Sequence, residues 1–263
     1  MHITQEQTDQ LQTVTAALRD NLGDALLAVY LHGSAVSGKL HPQSDIDLLA
    51  IVDRGLTEDQ RDNLLNALLR ISSRHPAVPN GRRCFEVVVF LLSDLAATHF
   101  PARTEFIYGE WLRNAYEAGE KPVPTHDPEY SLLLAQARQD AVPLFGPDAS
   151  EMLPAISNKQ VRLAMRDMLP VLLKGLQGDE RNTLLTLARM WRTASTGEFV
   201  TKNEAATWAI PHIQNRDAVT LDYARRAYLG EIADDWNSRG DAAQRLAEHL
   251  GDRINKLLHS DEP

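Results

Sequence analysis

At 263 residues, with 43% apolar and 24% charged side chains, the chain has an ordinary globular composition and enough length for one large core or two modest ones. No apolar run approaches the ~20 residues needed to cross a bilayer, the N-terminus lacks the basic and apolar segments of a secretion signal, and the single Cys84 excludes an internal disulfide, so a cytoplasmic setting is expected. A net charge of −9 has the wrong sign for a broad nucleic-acid surface; the expected partner is a cationic small molecule, and the default state a monomer.

Leu11, Val14 and Leu18 recur at helical spacing and predict an amphipathic helix over residues 4–20. LLAVYL, 26–31, reads as a buried strand. A turn carrying Gly33 and Ser34 follows, then a short polar passage, then a second strand whose first residues are Asp45 and Asp47. Residues two apart share a strand face, so the two carboxylates project side by side, hard oxygen donors of the kind magnesium takes. Gly33 lets backbone come close to a ligand, and the Ser34 hydroxyl and N–H sit where a turn can hold phosphate oxygens. Ser44, just ahead of the pair, reads as a turn residue or a further phosphate contact. The stretch reads as a nucleoside-triphosphate and magnesium site.

Thr57-x-x-Gln60 is a capping box, and Leu64, Leu65, Leu68 and Leu69 give the helix behind it a buried stripe to about Ser72. His75 to Arg83, with Pro76, Pro79 and Gly81, predicts a loop. FEVVVFLL, 85–92, is the most β-prone run in the chain, the third element of a β-α-β order that would lie beside the Asp45/Asp47 strand. Cys84 reads as a small buried residue. Glu86 either faces solvent from an edge strand or stands at the mouth of the sheet, because burial of an unpaired carboxylate is costly. Residues 99–119 contain EFIYGEWLRNAYEAG, ending on a glycine stop. Within it Trp111 reads as a core or interdomain anchor.

Asp127-Pro128 predicts a helix start and a run to about Ala141. Pro143, Gly146 and Pro147 then break the chain, which places the domain boundary in a loop from Pro143 to Ser157. Beyond it every segment reads as helical. Ser157-x-x-Gln160, Thr201-x-x-Glu204 and Asp241-x-x-Gln244 have the capping-box spacing, Gly178, Gly197 and Gly230 punctuate, and Pro170 predicts a kink or split in the first long helix. The fold expected is α+β, a small mixed sheet with helices on one side over 1–157 and an all-α helical bundle over 158–263.

Gly33-Ser34, ten intervening residues and then D-x-D resemble the signature of the DNA polymerase β-like nucleotidyltransferase superfamily. The longer texts HGSAVSGKLHPQSDIDLL, EFIYGEWLR, GDERNTLLTLARMW and TGEFVTKNEAATWAIP resemble the aminoglycoside nucleotidyltransferases that adenylylate spectinomycin and streptomycin, from about Val29 to Gly230. The resemblance implies a nucleotidyltransferase domain followed by a helical domain, with the active site in the cleft between them and ATP drawing them together. It implies two Mg²⁺ ions on Asp45 and Asp47, and Glu86 as general base toward the antibiotic hydroxyl. Arg189, Lys202 and Tyr228 would reach the phosphates of ATP, where each alone reads as an ordinary surface residue; Lys202 also begins a helix, whose N-terminus attracts phosphate. Trp111 would cover a face of the antibiotic, and Asn182, on the helix after the GDE motif, would also contact it. Asp179 would face the antibiotic's protonated amines, besides serving as a helix cap.

One departure bears on the substrate. Members acting on both drugs carry a tryptophan and an aspartate shortly before the GDE motif. By spacing, those positions fall near Pro170 and Gly175 here, and Asn182 stands where some dual-specific members have histidine. Losing an aromatic ring and an acid disfavours streptomycin more than spectinomycin. The expectation is an enzyme acting on the spectinomycin 9-hydroxyl, with streptomycin 3″-adenylylation as the alternative. A protein- or tRNA-modifying nucleotidyltransferase fits the acidic charge and the full helical domain less well. A non-catalytic nucleotide binder would not be expected to keep Asp45, Asp47 and Glu86 together.

Overall fold

The computed structural model describes residues 5–36, 44–75 and 81–259. Most of the predicted polar passage ahead of Ser44, and Pro76 and Pro79 of the predicted loop, lie outside the described residues. The chain divides into two compact units, Met1–Ile156 and Ser157–Pro263. Among the described residues no helix is long and apolar enough to cross a membrane.

The first unit runs α1 (Gln5–Leu22), β1 (Leu26–His32), β2 (Ile46–Val52), α2 (Glu58–Ile71), β3 (Phe85–Leu91) and α3 (Leu92–Ala97), then β4 (Arg103–Thr104), β5 (Phe106–Tyr108), α4 (Arg113–Glu117), β6 (Thr125–His126), α5 (Pro128–Asp140), β7 (Val142–Phe145) and α6 (Ala149–Met152). Its main sheet has the order β5-β3-β2-β1-β7. β1 and β2 are antiparallel, β2 and β3 parallel, and β5 and β7 close the sheet as antiparallel edges. β3 is therefore an interior strand, which rules out the edge-strand reading of Glu86.

Period-two alternation divides the strand side chains between two cores. Val29, Leu31, Leu48, Ala50, Val87 and Val89 pack with Val14 and Leu18 of α1 and Leu64 and Leu68 of α2. Tyr30, Leu49, Ile51, Val88 and Phe90 pack with Leu95 of α3, Tyr130 and Leu134 of α5 and Ala149 of α6. Helices thus cover both faces of the sheet, not one. The reason lies in the strands themselves: a strand covered on both sides is apolar on both sides, as LLAVYL and FEVVVFLL are. The predicted boundary loop is also structured. Its first residues form β7, where Pro143 is tolerated because a sheet edge does not demand its missing N–H, and α6 follows.

The second unit is helical throughout: α7 (Asn158–Lys174), α8 (Glu180–Thr196), α9 (Lys202–Ala209), α10 (Asn215–Tyr228) and α11 (Gly240–His259). The capping boxes at Thr57, Ser157 and Thr201 form. Asp241 does not cap: α11 already begins at Gly240 and places it in the first turn. α7 continues through Pro170 as one helix rather than splitting.

A buried ion network pins α10 to α11. Asp217, 1% exposed, accepts from Arg245 Nε at 3.0 Å and from His249 Nδ1 at 2.9 Å. Arg253 donates to His249 Nε2 at 3.2 Å and lays its guanidinium 4.8 Å from the Trp191 ring centre. Burial pushes the Asp217 carboxyl up, but hydrogen bonds from His249 and Arg245 outweigh it, and the net shift is downward. A carboxyl so held stabilises the fold above its unfolded pKa, and that contribution is lost as pH falls through the lowered folded value. Asp217→Asn removes the anion that Arg245 and His249 hold, and it is expected to cost about 1.5–3 kcal/mol at neutral pH, the scale of hydrogen bonds to a charged group. In denaturant unfolding the deficit should narrow as the pH is taken below the ordinary carboxyl range; a deficit independent of pH would contradict this origin.

Candidate active site

Three polar side chains stand in one row at one end of the main sheet. His32 closes β1 and pairs in register with Asp47 of β2, and Asp47 pairs with Glu86 of β3. Because in-register neighbours share a face and adjacent strands lie about 4.8 Å apart, the carboxylates of Asp47 and Glu86 are neighbours. They lie on the face that carries Tyr30, Leu49 and Val88 further along the same strands. Asp45 precedes β2 by one residue, and the backbone N–H of Ile46 donates to the Cys84 carbonyl at 2.9 Å, so Asp45 and Cys84 start their strands side by side. Asp45, Asp47 and Glu86 are each half-buried.

Gly33 opens the short helical turn Gly33–Ala35 directly after His32, with φ of +67°. A Cβ there would lie 2.1 Å from Asp47 Oδ2. The glycine therefore serves two ends: it adopts the left-handed backbone that turns the chain, and it leaves the space the Asp47 carboxylate occupies. Ser34 follows in the same turn, half-buried. Ser44 is buried, and its carbonyl accepts from the Arg83 guanidinium at 3.0 Å, which sets a cation beside Asp45.

Two neighbours tune this surface. His32 is buried, its Nε2 has no hydrogen-bond partner, and burial pushes its pKa down to about 4. A neutral imidazole thus flanks Asp47. Burial, with the Asp45 carboxylate beside it, pushes the Cys84 thiol up to about 12. Sequence reasoning passed over His32; the signal was a polar residue ending an apolar strand immediately before the glycine turn.

Trp111 is 59% exposed, which excludes a place in the core. Tyr108 pairs with Val87, so the chain leaves β5 at Gly109 at the end of the sheet where Glu86 stands. Trp111 lies in the turn Glu110–Leu112 that follows, its ring packed where a Gly109 Cβ would sit. That turn is anchored by a network missed from sequence: Ser72 Oγ and Tyr108 OH each donate to Glu110 Oε1 at 2.6 Å, and Arg113 Nε donates to Glu110 Oε2 at 2.6 Å.

The remaining candidates fall in the helical unit and gather there. Asp179 holds the N-cap position of α8, but its side chain makes no capping hydrogen bond; it accepts instead from Asn182 Nδ2 at 3.0 Å. Lys202 Nζ donates to Asn182 Oδ1 and stands 5.9 Å from the Tyr228 ring centre. Arg189, half-buried, lies seven residues after Asn182 on the same helical face. A polar cluster of Asp179, Asn182, Lys202 and Tyr228 is thus continuous, with Arg189 two turns along α8.

Carboxylates on adjacent strands beside a glycine turn suit a divalent cation that carries phosphates. A neighbouring carboxylate in register is placed to take a proton from an incoming hydroxyl.

Comparison with known proteins agrees with this chemistry. The polymerase beta nucleotidyltransferase model matches residues 12–83, and the aminoglycoside adenylyltransferase C-terminal domain model matches residues 151–253. Spectinomycin 9-adenylyltransferase of Staphylococcus aureus is 40% identical over 92% of this chain and 93% of its own length. Aminoglycoside (3'') (9) adenylyltransferase of Escherichia coli is 36% identical over 96% of this chain and 97% of its own. Among solved structures, spectinomycin adenyltransferase AAD(9) from Enterococcus faecialis with ATP and spectinomycin matches with a TM-score of 0.89, covering 95% of this chain and 99% of that one at 30% identity.

Proposed function

The chain belongs to the aminoglycoside adenylyltransferase family, and on that footing we propose that this enzyme transfers AMP from ATP to the 9-hydroxyl of spectinomycin, with magnesium as its metal. The observation that carries the reading is the register of Asp47 with Glu86 across β2 and β3, with Gly33 making room for the Asp47 carboxylate.

Asp45 and Asp47 would hold magnesium, as two ions, through carboxylate oxygens alone. Bound there, magnesium neutralises triphosphate charge and stabilises the attacking and leaving oxygens. Glu86 takes the proton of the antibiotic hydroxyl, whose oxygen forms a bond to the α-phosphorus. The bond to the β-phosphate oxygen breaks, and pyrophosphate leaves. Gly33, Ser34 and Ser44 are assigned to the nucleotide, with Arg189, Lys202 and Tyr228 as further phosphate contacts. Trp111, Asp179 and Asn182 are assigned to the antibiotic, the aspartate supplying the anion a protonated amine needs. The neutral His32 adds no positive charge beside Asp47.

Spectinomycin is preferred over streptomycin because Pro170 and Gly175 supply neither the aromatic ring nor the acid expected for the larger, guanidinium-bearing drug. The enzyme is taken as a cytoplasmic monomer with no nucleic-acid or membrane partner, in line with its net charge of −9. Pyrophosphate release with Mg-ATP is the test. Release is expected with spectinomycin, little with streptomycin, and none without an acceptor. Equal release with both drugs would overturn the specificity, and release with neither would overturn the function.

A further inference from the structure

A second cluster of metal-binding groups adjoins the carboxylate row. A carboxylate oxygen of Asp45, a ring nitrogen of His75 and Sγ of Cys84 all lie within 4.8 Å of one another. The fold brings them together. Asp45 and Cys84 precede the paired strands β2 and β3, and the segment after α2 returns beside them: Phe85 N donates to Ser72 Oγ at 3.0 Å, and Ser73 N to the Arg83 carbonyl at 3.4 Å. His75 arrives at the end of that segment, exposed, against a buried Cys84 and a half-buried Asp45.

The donor set is one sulfur, one imidazole and one carboxylate. Magnesium does not choose it, whereas zinc does. Zinc bonds to S, N and O run about 2.0–2.3 Å, so tetrahedral closure asks the ligand atoms to approach by about an ångström, a movement the exposed His75 can supply. Three protein ligands leave the fourth position open to water or a phosphate oxygen.

We propose that Asp45, His75 and Cys84 form a zinc site that shares Asp45 with the magnesium site, so that zinc and productive Mg-ATP binding exclude each other. The sharing rests on the functional reading given above; the site itself does not. On binding, a zinc–sulfur bond forms and the Cys84 thiol proton passes to solvent, while His75 binds as the neutral imidazole. The enzyme is thereby inhibited by zinc at concentrations far below those of magnesium.

The test uses the purified full chain, free of magnesium and titrated with Co²⁺ as a spectroscopic stand-in and with Zn²⁺ in competition. One Co²⁺ per chain with a thiolate-to-metal charge-transfer band, displaced by Zn²⁺, is the expected result. Cys84→Ser should abolish the band, and the exposed-site variant His75→Ala should weaken zinc binding about tenfold or more. In the transfer assay, zinc should inhibit the unsubstituted enzyme reversibly by chelation, and His75→Ala should escape inhibition with its zinc-free turnover unchanged. Absence of the thiolate band, or equal zinc affinity in His75→Ala and the unsubstituted chain, overturns the site. Binding without inhibition overturns the sharing of Asp45. A chain that transfers AMP to no acceptor overturns the functional reading instead, and the cobalt titration then decides the site alone.

Discussion

Glu86→Gln is expected to lower turnover with Mg-ATP and spectinomycin by about 10²–10⁴-fold, the range contributed by a positioned general base, while ATP binds nearly as before. The substitution keeps the side-chain shape and removes only the capacity to accept a proton. β3 lies inside the sheet, with Val87, Val88, Val89 and Phe90 fully buried beside the site, so its backbone has no cause to move. Glu86 also faces Asp47 in register, and like charges opposed across strands are destabilising. The amide relieves that repulsion, and the variant should therefore melt at the same temperature as the unsubstituted enzyme or higher. A lost activity with an unchanged or raised Tm cannot be charged to unfolding. Steady-state kcat, an ATP titration and a thermal melt on the same preparation decide the matter; turnover within about threefold of the unsubstituted enzyme would remove Glu86 as the base, since general-base contributions lie far above that.

Much of this arrangement was legible because it is written in short-range patterns. The β-α-β order sets Glu86 beside the Asp47 strand, and the observed register Asp47–Glu86 meets that expectation, whereas Asp45 stands one residue before β2. The boxes at Thr57, Ser157 and Thr201 close because local hydrogen bonds alone define them. Asp241 has the same spacing and fails, since α11 starts two residues earlier than a cap there would set. The short strands β4 to β7, two to four residues each, carry too few side chains for any period to register, and β7 hides behind Pro143. Coverage on both sheet faces was signalled by unbroken apolar strands. The role of Glu110 was not: its Ser72, Tyr108 and Arg113 partners meet only after folding, and Trp111 among charged neighbours gave no sign that those neighbours hold the turn beneath it. His32 likewise acquires its low pKa from burial that no local pattern announces.

Gly33→Ala is expected to reduce kcat/KM about 100-fold, the scale on which a misplacement of about an ångström at a reacting centre acts. Two separate effects operate. At φ of +67° a non-glycine residue costs about 1–2 kcal/mol, a loss of stability that a thermal melt will register but that a folded enzyme of this size tolerates. The second effect is local. The added Cβ would fall 2.1 Å from Asp47 Oδ2, closer than atoms can approach, and 3.1 Å from its Cγ, so the carboxylate must rotate out of its place beside Glu86. The KM for Mg-ATP should rise, because Asp47 is the group displaced. Ser34→Ala, in the same turn but without either effect, serves as the control and should lose far less. The decisive comparison is a double-mutant cycle. If Gly33 acts by leaving space for the Asp47 carboxylate, then Gly33→Ala introduced into Asp47→Ala, where no carboxylate remains to displace, should add almost nothing beyond its backbone cost. Full additivity of the two losses would mean that the glycine serves the turn alone, since residues acting through one contact do not add.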